Sequence, residues 1–325
     1  MVFANTLIKR SALNLENIVY YFGSNTDEAN LNKIVSDPLF MKIVSYLIER
    51  QGQEVILRQI KSDIPTNSNL ELYLDKLIKH KLLERENRRY TLSFPIYFKD
   101  ETQLQVSDSI KKALQMIINE GIHASYFLFG EWLWSLLFEE ENGDYFFGLE
   151  FSSESFPVFF SRIEEGDANN NIVSIFADNI IPFDLANYFF LLSKRSELPK
   201  QFEPLQHLIG DVDINYFIPQ IQKVIRSAKR NKSDKSKMNI FQETLLLTGD
   251  LKRSNDGQIY FSTPILKDYM PSAVVQESLD TLESELSLLW ESIEDQNLRV
   301  LFKKQLYSLL FSDYFPNTNS FHYFK

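Results

Sequence analysis

The chain has 325 residues, of which 44% are hydrophobic, with 34 basic and 44 acidic side chains, a formal net charge of -10 and no cysteine. The length favours about two domains, and the hydrophobic content excludes global disorder. The absence of cysteine excludes disulfides, thiolate metal sites and cysteine nucleophiles, and it fits a reducing, cytosolic location. The negative charge argues against non-specific coating of nucleic acid, which requires a basic surface.

The sequence shows no membrane or export signal. The most apolar stretch, residues 126–138, is too short to cross about 30 Å of hydrocarbon, and Glu131 interrupts it. The first residues lack a basic region followed by an apolar one. We therefore expect a cytoplasmic protein without membrane contact.

Residues 1–99 are predicted to form one compact domain that begins with strands. Residues 5–10, 17–22 and 30–36 are short β-capable runs separated by turn-forming residues. Residues 144–151 and 156–163, rich in phenylalanine, are also predicted strands, and we favour sheet core over ligand stacking for their aromatic side chains.

Three helices and a hairpin are predicted next. The first helix follows Pro38 and carries the apolar stripe Phe40, Ile43, Val44, Leu47 and Ile48. The second spans residues 54–61, and the third follows candidate N-caps at residues 66–68 and carries the stripe Leu70, Leu74, Leu77 and Ile78. Residues 81–92 are typical of a strand, a charged turn and a strand.

Three short helices and a hairpin are typical of a winged helix, which binds DNA, peptides or proteins, or serves only as structure. The third helix has no arginine, and its Glu71 and Asp75 would repel phosphates. Arg85, Arg88 and Arg89 in the hairpin would contact a DNA backbone without discriminating bases. A DNA-binding transcriptional regulator is therefore the alternative, ranked below a peptide-binding protein.

Strands placed before the three helices resemble the PqqD-type recognition element of ribosomally made, post-translationally modified peptides. The resemblance runs through residues 31–40, 43–48, 55–60 and 72–84. In that family a leader peptide adds as a strand beside the third strand and lies against the third helix, which is β-augmentation. The resemblance implies that Lys33, Ile34 and Val35 supply the strand edge. It also implies that Tyr73, Lys76 and Leu77 line the helix side. The other interpretation of Ile34 and Leu77 is that they are core residues.

The central region is similar to a degenerate ThiF-type fold, as found beside recognition elements in cyclodehydratase partner proteins of thiazole- and oxazole-modified bacteriocins and thiopeptides. Residues 126–137 are predicted to form a strand, a turn at Gly130 and a helix, and residues 172–179 a strand followed by a helix through Leu192. An ATP site of that type needs a glycine-rich turn. Glu131 and Trp132 after the lone Gly130 would exclude a polyphosphate. An unrelated fold explains the same residues, because an isolated glycine is a weak signal.

No catalytic motif is present, so we expect no catalytic residue, cofactor or metal. There is no phosphate-binding loop, nucleophile elbow or paired-histidine zinc motif, and the four histidines are isolated in the sequence. Asp211 and Asp213 alternate on a predicted strand face, but one pair is too few ligands for calcium.

Two helices are predicted near the C-terminus. The first follows Pro271 and carries an apolar seam at Val275, Leu279, Leu282, Leu286, Leu289 and Ile293. This seam is short for a coiled coil, so packing on the chain's own body is favoured over a homodimer. The second contains Leu301, Phe302, Leu306 and Leu309, and the aromatic tail 311–325 is a candidate for docking on a partner.

The sequence therefore predicts an α+β protein. It comprises a winged-helix domain with a small antiparallel sheet at 1–99, a mixed α/β domain at 105–228, a polar, basic linker at 229–237 and a helical region at 238–325. The leading functional hypothesis is a non-catalytic scaffold in bacteriocin or thiopeptide maturation. It would bind a precursor's leader peptide and present the core to a separate modifying enzyme.

Overall fold

The structure, a computed structural model, describes residues 18–23, 28–97, 104, 106–139, 144–150, 158–167, 169–229, 239–255 and 257–325. Helices and small sheets occur together, which confirms the α+β class. The chain divides into two compact units. The first comprises Met1–Gln103, Glu141–Phe156 and Ile293–Leu301, and the second comprises Leu104–Glu140, Pro157–Ser292 and Phe302–Lys325.

Four helices lie in the amino-terminal part of the first unit: α1 Glu28–Val35, α2 Pro38–Glu49, α3 Leu57–Asp63 and α4 Leu70–Lys79. The side chain of Asp37 caps α2 by accepting a hydrogen bond from the Leu39 N–H at 2.9 Å. The side chain of Asn69 caps α4 in the same way. The predicted stripes of α2 and α4 face the core of this unit, so these two helices are confirmed.

Five strands complete the described part of the first unit: β1 Ile18–Gly23, β2 Leu83–Glu86, β3 Arg89–Leu92, β4 Ile96–Tyr97 and β5 Tyr145–Glu150. β2 and β3 form the predicted hairpin around Asn87 and Arg88, both at positive φ, as a two-residue type I′ turn requires. The remaining strands form a sheet of order β1-β5-β4, antiparallel for β1 with β5 and parallel for β4 with β5.

The prediction of a strand over residues 30–36 is wrong, because α1 occupies this segment. Leu31 and Ile34 are both buried and lie three residues apart, which is the spacing of a helix face rather than the alternation of a strand. Lys33, Ile34 and Val35 therefore form no strand edge. The predicted run at residues 5–10 lies outside the described residues.

The described helices that begin in the second unit are α5 Asp108–Asn119, α6 Ile122–Phe127, α7 Leu185–Ser193, α8 Glu203–Ile209, α9 Ile214–Lys229, α10 Ile240–Leu247 and α11 Ala273–Trp290. A last helix, α12 Gln296–Tyr314, begins in the stretch assigned to the first unit and ends in the second. α11 packs on α5 through the predicted seam, with Val275, Leu279, Leu282 and Leu286 buried. Packing of this seam on the chain's own body is therefore confirmed.

The strands of the second unit are β6 Phe160–Gly166, β7 Asn171–Ala177, β8 Leu251–Arg253, β9 Ile259–Phe261 and β10 Ser320–Phe324. β7 pairs antiparallel with both β6 and β10, and β8 pairs with β9. β7 and α7 confirm the predicted strand and helix after residue 171. Phe321 and Tyr323 of β10 are buried in the second unit, so these two aromatic residues of the tail are core residues. Docking of the rest of the tail on a partner stays a prediction.

The strand and the turn predicted in residues 126–137 are also wrong, whereas the helix predicted to follow Gly130 is present. α6 continues into two π-helical turns, Leu128–Trp132 and Ser135–Glu139. Gly130 lies inside the first π turn, where a Cβ atom would come 2.6 Å from Cε1 of Tyr323. Gly130 is therefore explained by close packing against β10 and not by a phosphate turn.

Residues 211–213 and Lys229 differ from the sequence-based prediction. Residues 211–213 lie outside any strand, in the connection between α8 and α9. Lys229 is the last residue of α9, and the rest of the predicted linker lies outside the described residues.

Candidate peptide-binding groove

A shallow surface groove of about 530 Å³ lies between α1 and α4. Its lining residues are Asn30, Leu72, Asp75, Lys76, Lys79 and His80. We call it the α1–α4 groove. All of these residues belong to the first unit.

The groove follows from the amphipathic character of α4. Leu70, Leu74 and Leu77 point into the core of the first unit, so residues on the opposite side of the helix remain at the surface. Among these, the side chain of Leu72 is 67% exposed. An exposed leucine on the polar side of a helix is a candidate apolar contact for a partner.

Tyr73 of α4 joins the two helices through its hydroxyl group. Its hydroxyl donates a hydrogen bond to the backbone carbonyl of Ile34 at 3.5 Å. Burial raises the pKa of Tyr73 above its ordinary value, and the nearby carboxylate of Asp37 raises it further. The hydroxyl therefore stays protonated near neutral pH and acts as a structural donor.

The residues predicted for the strand edge lie on α1 and those predicted for the helix side lie on α4, but some of them are core residues and others are at the surface. Ile34 and Leu77 have no exposed surface and are core residues, as the second interpretation held. Val35 and Tyr73 are partly buried and pack against the same core. Of the six predicted residues only Lys76 lines the groove, while Lys33 is exposed on α1, one helical turn after Asn30.

Sequence reasoning missed five of the six residues that line the groove: Asn30, Leu72, Asp75, Lys79 and His80. For Leu72 a signal existed, since it is an apolar residue outside the stripe of Leu70, Leu74 and Leu77 on an otherwise regular amphipathic helix. For Asn30 there was none, because the segment was interpreted as a strand.

The positive charge of the groove is not neutralised by ion pairs among the described residues. Elsewhere in the first unit, Lys61 pairs with Glu71, and Arg89 pairs with Glu54 at 2.7 Å. Within the described part of the chain, neither Lys76 nor Lys79 has an ion-pair partner of this kind. Asp75 is the single carboxylate in the lining, so the two lysines outnumber it.

The second unit contains two networks of ionisable groups that are better explained as structural. Glu131 accepts hydrogen bonds from Tyr323 at 2.5 Å, from Lys325 at 2.8 Å and from Arg162 at 3.2 Å. These contacts hold the first π turn against β6 and β10. Within the described ranges, no cluster of three or more histidine, cysteine or acidic residues has the arrangement to hold a metal ion.

The other network places Ser174 and His322 on paired strands and each beside an aspartate, but without the access that catalysis needs. Ser174 lies opposite His322 in the β7–β10 pair, but its hydroxyl donates to Asp184 at 2.7 Å and it has no exposed surface. His322 instead contacts Asp250 at 2.8 Å. A buried hydroxyl already committed to a carboxylate is not an activated nucleophile.

Residues 19–123 match the model of a family described as a domain of unknown function (DUF1803). The match covers about a third of the chain and contains every residue that lines the α1–α4 groove. No curated protein and no solved structure matches the chain. In the described ranges, none of the helices combines the length and the apolar content needed to cross a bilayer.

Proposed function

We propose that the chain is a cytosolic, non-catalytic peptide-binding scaffold. It holds the leader segment of a ribosomally made precursor peptide and presents the core segment to a separate modifying enzyme, as in bacteriocin or thiopeptide maturation. The observation that carries the proposal is the α1–α4 groove, which combines an exposed leucine with two lysines that have no ion-pair partner among the described residues. The proposal uses only the resemblance to the recognition element, because the strand–turn–helix at residues 126–137 that suggested a ThiF-like domain is absent.

The groove is suited to a peptide rather than to a small molecule. It is open and shallow, whereas small-molecule sites are concave and bury most of their ligand. In helix-in-groove recognition apolar side chains act as anchors, and complementary charges fix the register of the bound partner. Leu72 supplies the first and the lysines supply the second.

Titration of the full chain with leader segments of short precursor peptides encoded beside its gene tests the proposal. We expect saturable binding, reduced about tenfold or more by Leu72→Asp, since about 1.4 kcal/mol of contact energy corresponds to a factor of ten. Leu288→Asp is the matched control, because Leu288 is also 67% exposed on a helix but lies in the second unit. If none of the leader segments binds, the proposal fails.

A DNA-binding regulator is the second candidate, favoured by one observation. The hairpin turn places Arg88, an exposed cation, between β2 and β3. The pairing of Lys61 with Glu71 and of Arg89 with Glu54 leaves less charge for phosphates, which ranks this candidate lower. A salt-dependent shift of operator fragments that is lost in Arg88→Ala would support it over peptide binding.

A further inference from the structure

The walls of the α1–α4 groove determine how a peptide can bind there. Most of the lining belongs to α4, and the N–H and C=O groups in the body of that helix are bonded within it. Strand addition needs an edge with unpaired backbone groups. The groove therefore offers contacts through side chains. Binding is most favourable for a segment whose own backbone N–H and C=O groups are already hydrogen bonded.

The contact residues of α4 are spaced along one helix face. Leu72, Lys76 and Lys79 are separated by four and three residues, a run of about 10 Å at 1.5 Å per residue. A second helix laid along this face presents its own side chains at the same intervals of three and four residues. In helix-in-groove recognition the anchoring side chains of the bound helix are spaced at these intervals.

The charges set the direction of the bound helix. Lys76 and Lys79 lie in the last turn of α4, and Leu72 lies near its beginning. Acidic residues are most favourable near the amino terminus of a helix. A bound helix that runs antiparallel to α4 places its first turn beside the lysines and a later apolar residue beside Leu72.

We propose that the segment bound in the α1–α4 groove is an acidic amphipathic helix, with two carboxylates three or four residues apart followed by an apolar residue about one turn later. This inference rests on the proposed function and names the class of its partner. An extended peptide, DNA and a second copy of the chain are the competing occupants.

Selection from a randomised peptide display library on the immobilised full chain tests the inference, with the Leu72→Asp chain for counter-selection. We expect enriched sequences with two acidic residues and then an apolar residue at helical spacing. Enriched sequences that lack acidic residues, or that alternate with a period of two, would overturn the helix but leave peptide binding intact. No enrichment over the counter-selection would overturn both proposals.

Reversing the charges on the chain and on the peptide tests their pairing directly. Binding of an enriched peptide should fall about tenfold or more in the K76E/K79E chain, and replacing the peptide's acidic residues by lysine should restore it. The exposed pair Lys111 and Lys112 of α5 gives the matched control, since K111E/K112E makes the same change of charge in the second unit. Equal loss in both variants, or no recovery with the lysine peptide, contradicts pairing at the groove.

A proline placed mid-peptide should abolish binding, and unchanged binding would contradict a bound helix.

Discussion

Single residues of the second unit show how burial and pairing set chemical behaviour. His322 lies on β10 with 24% of its side chain exposed and contacts Asp250 at 2.8 Å. Burial alone would lower the pKa of His322, but the carboxylate of Asp250 and its hydrogen bond raise it to about 9. Burial would raise the pKa of Asp250, but His322 and the hydroxyls of Thr248 and Thr263 hold it below its ordinary value. Both groups are therefore charged at neutral pH.

This pair predicts a pH-dependent stability. A raised histidine pKa contributes stability that is complete below about 6.5, the unfolded value, and is lost as pH rises through about 9. The free energy of unfolding should fall by up to about 3 kcal/mol across this window. Denaturant unfolding of His322→Gln should show a smaller fall, with the exposed His207→Gln as control. Equal pH dependence in the wild-type and His322→Gln chains would contradict the pair.

The sign of the stability change caused by Gly130→Ala tests how closely Gly130 packs against Tyr323. Alanine in a helix is more favourable than glycine by about 1 kcal/mol, so Gly130→Ala would stabilise the protein if space were available. Because a Cβ atom would lie 2.6 Å from the Tyr323 ring, we expect a net loss of about 1–3 kcal/mol. Thermal unfolding measures the effect, and a smaller loss in a Tyr323→Leu background would locate its cause. Stabilisation by Gly130→Ala would show that the two elements do not pack as described.

At the scale of elements, long periodic stripes could be predicted from the sequence and short segments could not. α2, α4 and α11 each repeat apolar residues over two or more turns, and this repeat identifies the buried face of each helix. Among the described side chains of α1, the buried apolar residues are Leu31 and Ile34, and one pair at helical spacing is too short a repeat to predict a helix from the sequence. At Gly130 the deciding contact is with Tyr323, 193 positions later in the sequence.

The two faces of α4 predict opposite effects of neighbouring substitutions. Leu77→Ala should destabilise the first unit by about 3 kcal/mol, because it opens a cavity at a fully buried position. Lys76→Ala should change stability by less than about 0.5 kcal/mol, since this side chain is exposed, while weakening peptide binding. Denaturant unfolding with a parallel binding titration separates the two. Weakened binding by a Leu77→Ala chain that keeps full stability would contradict the assignment of Leu77 to the core.

At the scale of the whole molecule, the pairing of strands was the main feature that could not be predicted from the sequence. β1 pairs with β5, so residues 145–150 belong to the first unit although they follow helices of the second. The aromatic and β-branched composition of both segments predicts strands, but composition alone does not specify which strands pair. The groove was missed for a similar reason, since it depends on two helices placed side by side and one of them was interpreted as a strand.

Amide hydrogen exchange of the full chain, with and without a leader peptide that binds in titration, tests the central claim most directly. We predict that exchange slows in α1 and α4 and is unchanged in the β2–β3 hairpin. Slowing confined to β1 or to the hairpin, with α1 and α4 unaffected, would contradict binding in the α1–α4 groove.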